Sequence, residues 1–413
     1  MQEWRVYGLM VLSAMAGVSL GTIPTATLGL FMDPLNREFG WSRTEISLGL
    51  TIFALVGLPL APLGGMLVDK FGARRIAVPG LALSALIFAS FSLLAGSYVQ
   101  WLFTWVLYTF AALGTRTLVW NTAISTVFTI SRGLAIAVLL CGIAIASSLA
   151  PIVAHGLIEG WGWRGGYIGL GLGWGGMALL LVLLFFHDRR QSTKPAVGAA
   201  PQSATATRPG GLTVKEALRT PRLYRIGFAI FLQSTLGAAI MVHLVPLLTA
   251  EGLSRTEAAG MAALIGLGSL VGKLATGWMI DRFTGSLIPF ACFAGPAIAY
   301  LVMLQAAGSA WLLSAAVIIL GYSGGASLQL ATYLTTRYAG MRNFGTIFGF
   351  ISAFMALSAG IGPPLAGAIF DSTGSYTLLL TIGIPVALLA GLCVFGLGAY
   401  PTFEPVRSDE AHG

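Results

Sequence analysis

Gly40-Trp41-Ser42-Arg43-Thr44-Glu45 returns 212 residues later as Gly252-Leu253-Ser254-Arg255-Thr256-Glu257. Gly65-Met66-Leu67-Val68-Asp69-Lys70-Phe71 returns at the same offset as Gly277-Trp278-Met279-Ile280-Asp281-Arg282-Phe283. Gly133, Pro151 and Gly162 return as Gly345, Pro363 and Gly374. Landmarks that keep one spacing, with no net insertion or deletion, mark a chain built from two similar halves in tandem.

Of the 413 residues, 56% are hydrophobic and 9% charged, and the mean hydropathy is +0.85. A soluble chain of this length carries far more charge. Apolar runs of about 20 residues recur, each long enough to cross the hydrocarbon core. They lack two-residue alternation, so they read as helices rather than barrel strands. Twelve helices are expected, at 6–31, 44–68, 76–95, 99–127, 133–158, 165–186, 223–250, 256–280, 287–306, 310–338, 343–370 and 374–398. The fold expected is therefore an all-α membrane protein of two six-helix bundles. Residues 1–186 form the N-terminal bundle, 187–222 a linker, 223–400 the C-terminal bundle and 401–413 a tail. Two repeated membrane halves are the architecture of many secondary transporters, with substrate bound between them near the midplane.

The first apolar run is too long for a signal-peptide core and is kept as helix 1. Gln191–Gly210 is rich in Ser, Thr, Ala, Pro and Gly and reads as a flexible linker. Thr213, with Glu216 three residues on, has the pattern that caps a short helix. The net charge of +8 follows from topology. With both termini inside, the cytoplasmic segments hold 17 Lys/Arg and the outer segments four: Arg37, Arg43, Arg164 and Arg255. That asymmetry points to a multi-pass protein of the inner membrane with cytoplasmic termini. Cys141, Cys292 and Cys393 fall far apart within helices, with no disulfide or metal spacing. No cofactor, metal or nucleic-acid partner is expected, and a monomer is the default. The glycine-rich run Gly171-Leu172-Gly173-Trp174-Gly175-Gly176 sits in an apolar helix, follows no strand and reads as helix packing.

Gly65, Asp69, Lys70, Gly72, Arg74 and Arg75, between helices 2 and 3, form a pattern that resembles the signature loop of the major facilitator superfamily, with a degenerate copy at Gly277–Arg282. The resemblance implies gating roles for Asp69 and Arg74, and for Asp281 and Arg282: the acids cap a neighbouring helix and the bases help hold one conformation. Within that superfamily, Gly29-Leu30-Phe31 through Arg43 looks like the end of helix 1 in the monocarboxylate porters and the oxalate–formate exchanger group. Arg132-Gly133-Leu134-Ala135 and the segment from Gly345 to Tyr376 fit the same group. One departure matters. Where animal-type monocarboxylate carriers have Asp, Arg and Gly at four-residue intervals in helix 8, this chain has Ser269, Lys273 and Gly277. The cation survives as lysine and the acid is lost, so the proton coupling of those relatives does not carry over unchanged. The helix-5 pattern of drug–proton antiporters is absent around Gly142–Pro151. Pro151 and Pro363, at equivalent places in the halves, kink their helices and suit either helix shape or gating.

The fifteen Asp and Glu residues fall in loops, tails or helix ends, but two cations do not: Arg116 in helix 4 and Lys273 in helix 8. An ionisable group at the bilayer centre costs about 2.5–3.5 kcal/mol on insertion scales and marks a functional candidate. With no carboxylate expected at their depth, the partner would be an anionic substrate. The bland alternative for both is bonding to helix-end carbonyls or snorkelling to the surface. Trp120 lies one turn beyond Arg116, and Asn121, Gln233, Gln329, Tyr333 and His243 offer polar groups in mid-helix. Interhelical hydrogen bonding is the commoner use of such residues. His243 is the best neutral proton acceptor among them, while His155 reads as packing. The function expected is secondary transport of a small organic anion, mono- or dicarboxylate, by proton symport or anion exchange. The alternative is export of amphipathic compounds.

Overall fold

The computed structural model describes residues 2–128, 131–187, 210–283, 285–306 and 308–403, with no account of the side chains at 2, 61, 62, 69, 132, 133 and 281. Most of the expected linker and tail, and the side chains of Asp69 and Asp281, therefore lie outside the described residues. Among these residues the chain is helical, and eleven helical stretches are long and apolar enough to cross a bilayer. One of them, Leu134–Phe185, has 52 residues. At 1.5 Å per residue it would reach about 78 Å, more than twice the hydrocarbon thickness. It turns back at Gly162 (φ 70°, ψ 176°), which separates helix 5 from helix 6 and restores twelve spans.

The repeat is preserved in backbone geometry. Gly162 has φ 70° and its counterpart Gly374 φ 72°, both between consecutive membrane helices, where a residue with a Cβ would be strained. Gly40 and Gly252 match in the same way, at 73° and 94°. Helix 2 (Arg43–Phe71) and helix 8 (Arg255–Arg282) open with the same capping box. Ser42 accepts from the Glu45 N–H while the Glu45 carboxylate accepts from the Ser42 N–H, and Ser254 and Glu257 do likewise. Such a box satisfies two of the backbone donors orphaned at a helix start. The repeated Ser-Arg-Thr-Glu is thus a helix-start signal written twice.

Helix 1 differs from the sequence reading. It runs as Gln2–Leu20 and Ile23–Phe39, broken at residues 21–22, and ends on Gly40 in the left-handed region. Asp33, Arg37 and Glu38 look like loop charges but form its last two turns. Helix 4 is also broken. Tyr98–Ala111 tightens into a short turn over Ala112–Thr115, Arg116 is extended (φ −63°, ψ 145°), and a second helix runs Thr117–Val127. The remaining spans are Ala73–Ser90 (helix 3), Pro221–Ala250 (7), Leu287–Ala294 with Pro296–Gln305 (9), Ala310–Ala339 (10), Phe344–Thr373 (11) and Thr377–Val394 (12). Helix 6 carries a π-helical stretch, Gly169–Trp174. A side chain at Gly171 would meet the helix 3 backbone at Ala85 and Ala89 and one at Gly175 would strike Ala85, so these two glycines serve packing, while Gly173 and Gly176 face open space.

Helices alternate in direction. Residues 40–42, 251–254 and 374–376 lie at one end of the bundle, the far end. Residue 72, residues 186–187 and residues 210–220 lie at the other, the linker end. There Thr213 and Glu216 form the expected capping box on Val214–Ala217, and the Thr213 N–H and hydroxyl hold the Glu216 carboxyl below its ordinary pKa. The segment is pinned to the C-terminal half: the Leu212 N–H donates to Ala339 O and the Met341 N–H to Gly210 O.

Candidate functional site

The halves meet toward the far end. A side chain at Gly29 of helix 1 would strike the Val242 carbonyl of helix 7, and one at Gly266 of helix 8 would strike Ser148 of helix 5. A Cβ on Gly360 of helix 11 would lie 2.9 Å from that of Ala54 in helix 2. Proline shapes this last seam. Pro364 lacks the N–H that would bond the Gly360 carbonyl one turn earlier. Thr51 of helix 2 donates its hydroxyl to that carbonyl at 2.5 Å, so a defect in one half is satisfied by the other.

A polar cluster seals the far end. Asp33 accepts from Arg43 at 3.4 Å and from Arg255 at 3.1 Å, so the two repeat-related arginines converge on one acid. Asp371, in the last turn of helix 11, accepts from the Arg43 N–H at 3.1 Å, the Thr44 N–H at 2.9 Å and the Thr44 hydroxyl at 2.5 Å. It acts as an N-cap for helix 2 supplied from the opposite half, where the helix dipole favours negative charge. The Arg43 guanidinium also donates to the Tyr376 hydroxyl and lies 3.6 Å over the Phe370 ring. His243 completes the cluster, with Nδ1 2.8 Å from the Tyr376 hydroxyl and Nε2 2.9 Å from Pro363 O and 3.2 Å from Ser47 Oγ. His243, expected as a ligand residue, is instead fully buried among these partners. His155 is not mere packing; it bonds Thr256 of the other half at 2.9 Å.

Arg116 stands apart from that cluster. It occupies the break in helix 4, at the start of Thr117–Val127. A side chain on Gly57 of helix 2 would collide with its guanidinium, so the cation lies directly against helix 2 beyond the seam. Its Nε is buried without a hydrogen-bond partner, and no ion pair to it is found among the described residues. The start of a half-helix carries unsatisfied N–H groups and a positive dipole end, the arrangement that receives anionic groups in discontinuous membrane helices. Asn121, on the same half-helix, has a buried and unpartnered Oδ1.

Lys273 likewise makes no ion pair among the described residues. Cys141 of helix 5 lies within electrostatic range of it. One turn along helix 8, Gly277 lines a cavity of about 460 Å³ with Ile280, Leu328, Gln329, Thr332 and Tyr333. The Gln329 Oε1 is buried there without a partner, while the Tyr333 ring packs edge-on to Tyr400 with Arg337 over both.

Trp120 is a core residue. It is fully buried, its indole N–H donates to Thr115 O at 3.0 Å, and a side chain on Gly17 would strike its ring. An aromatic one turn from a site residue cannot be told from packing by spacing alone. Of the proposed gating bases, Arg74 donates to Leu183 O at 2.9 Å within its own half, and Arg282 lies 4.9 Å from the Trp278 ring. The far-end residues Asp33, Arg43, Arg255, Asp371 and Tyr376 were missed as a site. The repeated Ser-Arg-Thr-Glu was their one sequence signal.

The family model of the Major Facilitator Superfamily matches residues 9–308 and, in a second match, 252–412. The chain belongs to the Major Facilitator Superfamily. This superfamily member is 27% identical to monocarboxylate transporter 11 of Homo sapiens, over 95% of its own length and 83% of the relative's. It is also 27% identical to the 3-(3-hydroxy-phenyl)propionate transporter of Escherichia coli K12, over 92% and 88% of the two chains. The expected likeness to the monocarboxylate porters is borne out by these relatives. Its fold matches the crystal structure of a D-xylose-proton symporter with a TM-score of 0.73 at 15% identity, covering 95% and 98% of the chains. It is therefore a multi-pass membrane transporter of a small molecule rather than an enzyme.

Proposed function

We propose that this transporter carries a small organic anion, a mono- or dicarboxylate, by alternating access. The observation that supports this most is Arg116: a cation at a helix break, against Gly57, with a buried unpartnered Nε and, among the described residues, no carboxylate paired to it. A buried charge without a partner is costly, and an anionic substrate supplies one. Lys273 provides a second cation from the other half, so an anion held by both would link the bundles. Asn121, Gln329 and Tyr333 supply further hydrogen-bonding groups. Two relatives named for carboxylate transport agree with this reading.

The asymmetry of basic residues assigns the linker end to the cytoplasm of a bacterial-type inner membrane and the far end to the outside. We read the sealed far end as the closed outer gate of an inward-facing state. Rocking of residues 1–186 against 223–400 would then break the far-end cluster and bring the linker end together. Asp69, Arg74, Asp281 and Arg282 would hold that end, with Pro151 and Pro363 as the bending points. The carrier acts as a monomer in lipid. Coupling is by proton symport or by anion exchange: a dicarboxylate matches two charged cations, and a monocarboxylate matches the pair if Lys273 is neutral in the empty site and gains a proton with the anion.

The test is the melting temperature of purified protein in detergent against mono- and dicarboxylates, aromatic acids, amines and sugars. A ligand at a hundred times its Kd stabilises the native state by about 2.7 kcal/mol. Stabilisation by one class of acids, abolished in Arg116→Gln and in Lys273→Gln, is expected. Stabilisation by amines or neutral lipophiles alone would replace this reading with export of amphipathic compounds.

A further inference from the structure

We propose that His243 is a proton-binding site that controls the far-end seal: the seal closes on the neutral imidazole, and a proton on Nδ1 opens it. The hydrogen bonds around the ring have one direction. The Pro363 carbonyl can only accept, so Nε2 carries a hydrogen and donates, with Ser47 Oγ as a second neighbour on helix 2. The guanidinium of Arg43 can only donate, so the Tyr376 oxygen is the acceptor in that bond. The Tyr376 O–H then points to Nδ1, which accepts at 2.8 Å with its lone pair. The chain runs Arg43 to Tyr376 to His243 to Pro363, and each member is satisfied.

Adding a proton to Nδ1 reverses one link. The imidazolium has two N–H donors and no acceptor. The Tyr376 O–H loses its acceptor, and among the described residues no other hydrogen bond from that hydroxyl is found. The new charge also lies within electrostatic range of Arg43, a like charge. The groups facing this ring are Arg43 and Ser47 from helix 2, Asp371 from helix 11 and Tyr376 at the start of helix 12; Asp33 of helix 1 stands behind Arg43. The two acids are engaged by Arg43, Thr44 and Arg255, so neither is free to pair with the imidazolium without leaving the seal. Opening the far end separates Ser47 and Arg43 from His243 and Tyr376, freeing the Tyr376 hydroxyl and admitting water to the ring. By linkage, the open state binds the proton more tightly, and acid favours it.

The same cluster joins the halves, so the proton and the conformational change share one set of bonds. This inference rests on the sealed end alone and needs no substrate, so it can fail while the anion reading stands, and the reverse.

The experiment places spin labels at Leu93→Cys and Trp311→Cys, exposed far-end positions in opposite halves, with Cys141, Cys292 and Cys393 replaced by serine. The full chain is held in lipid nanodiscs without substrate, and the inter-label distance distribution is followed from about pH 8 to about pH 5.5, the range in which histidine titrates. The long-distance population should grow several-fold as pH falls, bounded by about tenfold per pH unit for one proton. His243→Gln, which keeps a donor and an acceptor but takes up no proton, should stay closed across the range. Tyr376→Phe, which removes the hydroxyl whose bond reverses, should open at pH 8 and show a smaller pH step. An equal pH step in His243→Gln, or a far end indifferent to pH in the parent, overturns the proposal. If His243→Gln does not fold, an unchanged pH step in Tyr376→Phe overturns it as well.

Discussion

Arg116 and Lys273 stand out as candidates in the sequence because charge is scarce in a membrane helix: a census of ionisable residues isolates them without any structural knowledge. Trp120 was misjudged because an aromatic beside a site and an aromatic in a core have the same spacing, and only its bond to Thr115 O settles the matter. Asp33 and Asp371 escaped notice for the opposite reason, since acids near helix ends are ordinary and their partners in the opposite half lie 222 and 327–328 residues away in sequence. Two glycines separate function from folding at this scale. Gly57→Ala would push on the movable end of Arg116. If the proposed anion binds at Arg116, this should weaken stabilisation by it about tenfold or more in ligand concentration, about 1.4 kcal/mol, while the ligand-free melting temperature changes little. Gly272→Ala would instead strike the Tyr322 backbone of helix 10, which cannot swing away. It should cost about 1–3 kcal/mol of stability and leave the ligand concentration dependence of the surviving fold unchanged. Thermal melts with and without ligand distinguish the two.

Helices were found by length and hydropathy, but their interruptions were not. The break at Arg116 leaves no proline or glycine at the residue itself, and the extension of helix 1 to Phe39 hides behind three charges. Capping was readable where it is local, as at Thr213 with Glu216, and unreadable where it comes from another half, as Asp371 does for helix 2. Two predictions belong here. Thr51→Val leaves the Gly360 carbonyl unpaired at the seam, a loss of about 1–3 kcal/mol for a buried polar group, felt in the far-end-closed state. Asp371→Asn removes the charge that caps helix 2 and should shift the same balance by about 0.5–2 kcal/mol. In both, hydrogen–deuterium exchange of the peptide covering residues 43–54 should quicken relative to the parent; unchanged exchange would mean that these bonds do not hold the end shut.

For the molecule as a whole, the duplication was the strongest sequence signal, and the left-handed glycines at 40, 252, 162 and 374 repeat it in backbone form. Its sidedness rests on the basic residues. Alkaline phosphatase fused after residue 403 should be inactive in cells and active when fused after Gly96, and the reverse pattern would invert the assignment of the far end to the outside. The two seams between the halves hold a further lesson. Ala54 faces Gly360, and Ser148 faces Gly266. Shifted by the repeat offset, Ala54 falls on Gly266 and Ser148 on Gly360, so these are one ancestral contact present in two copies, with the missing side chain on opposite partners. What has been inherited is a sum of volumes, free to be divided either way. Gly360→Ala alone should therefore jam its seam, and Ala54→Gly in the same chain should release it, reproducing in one seam the division its twin already uses.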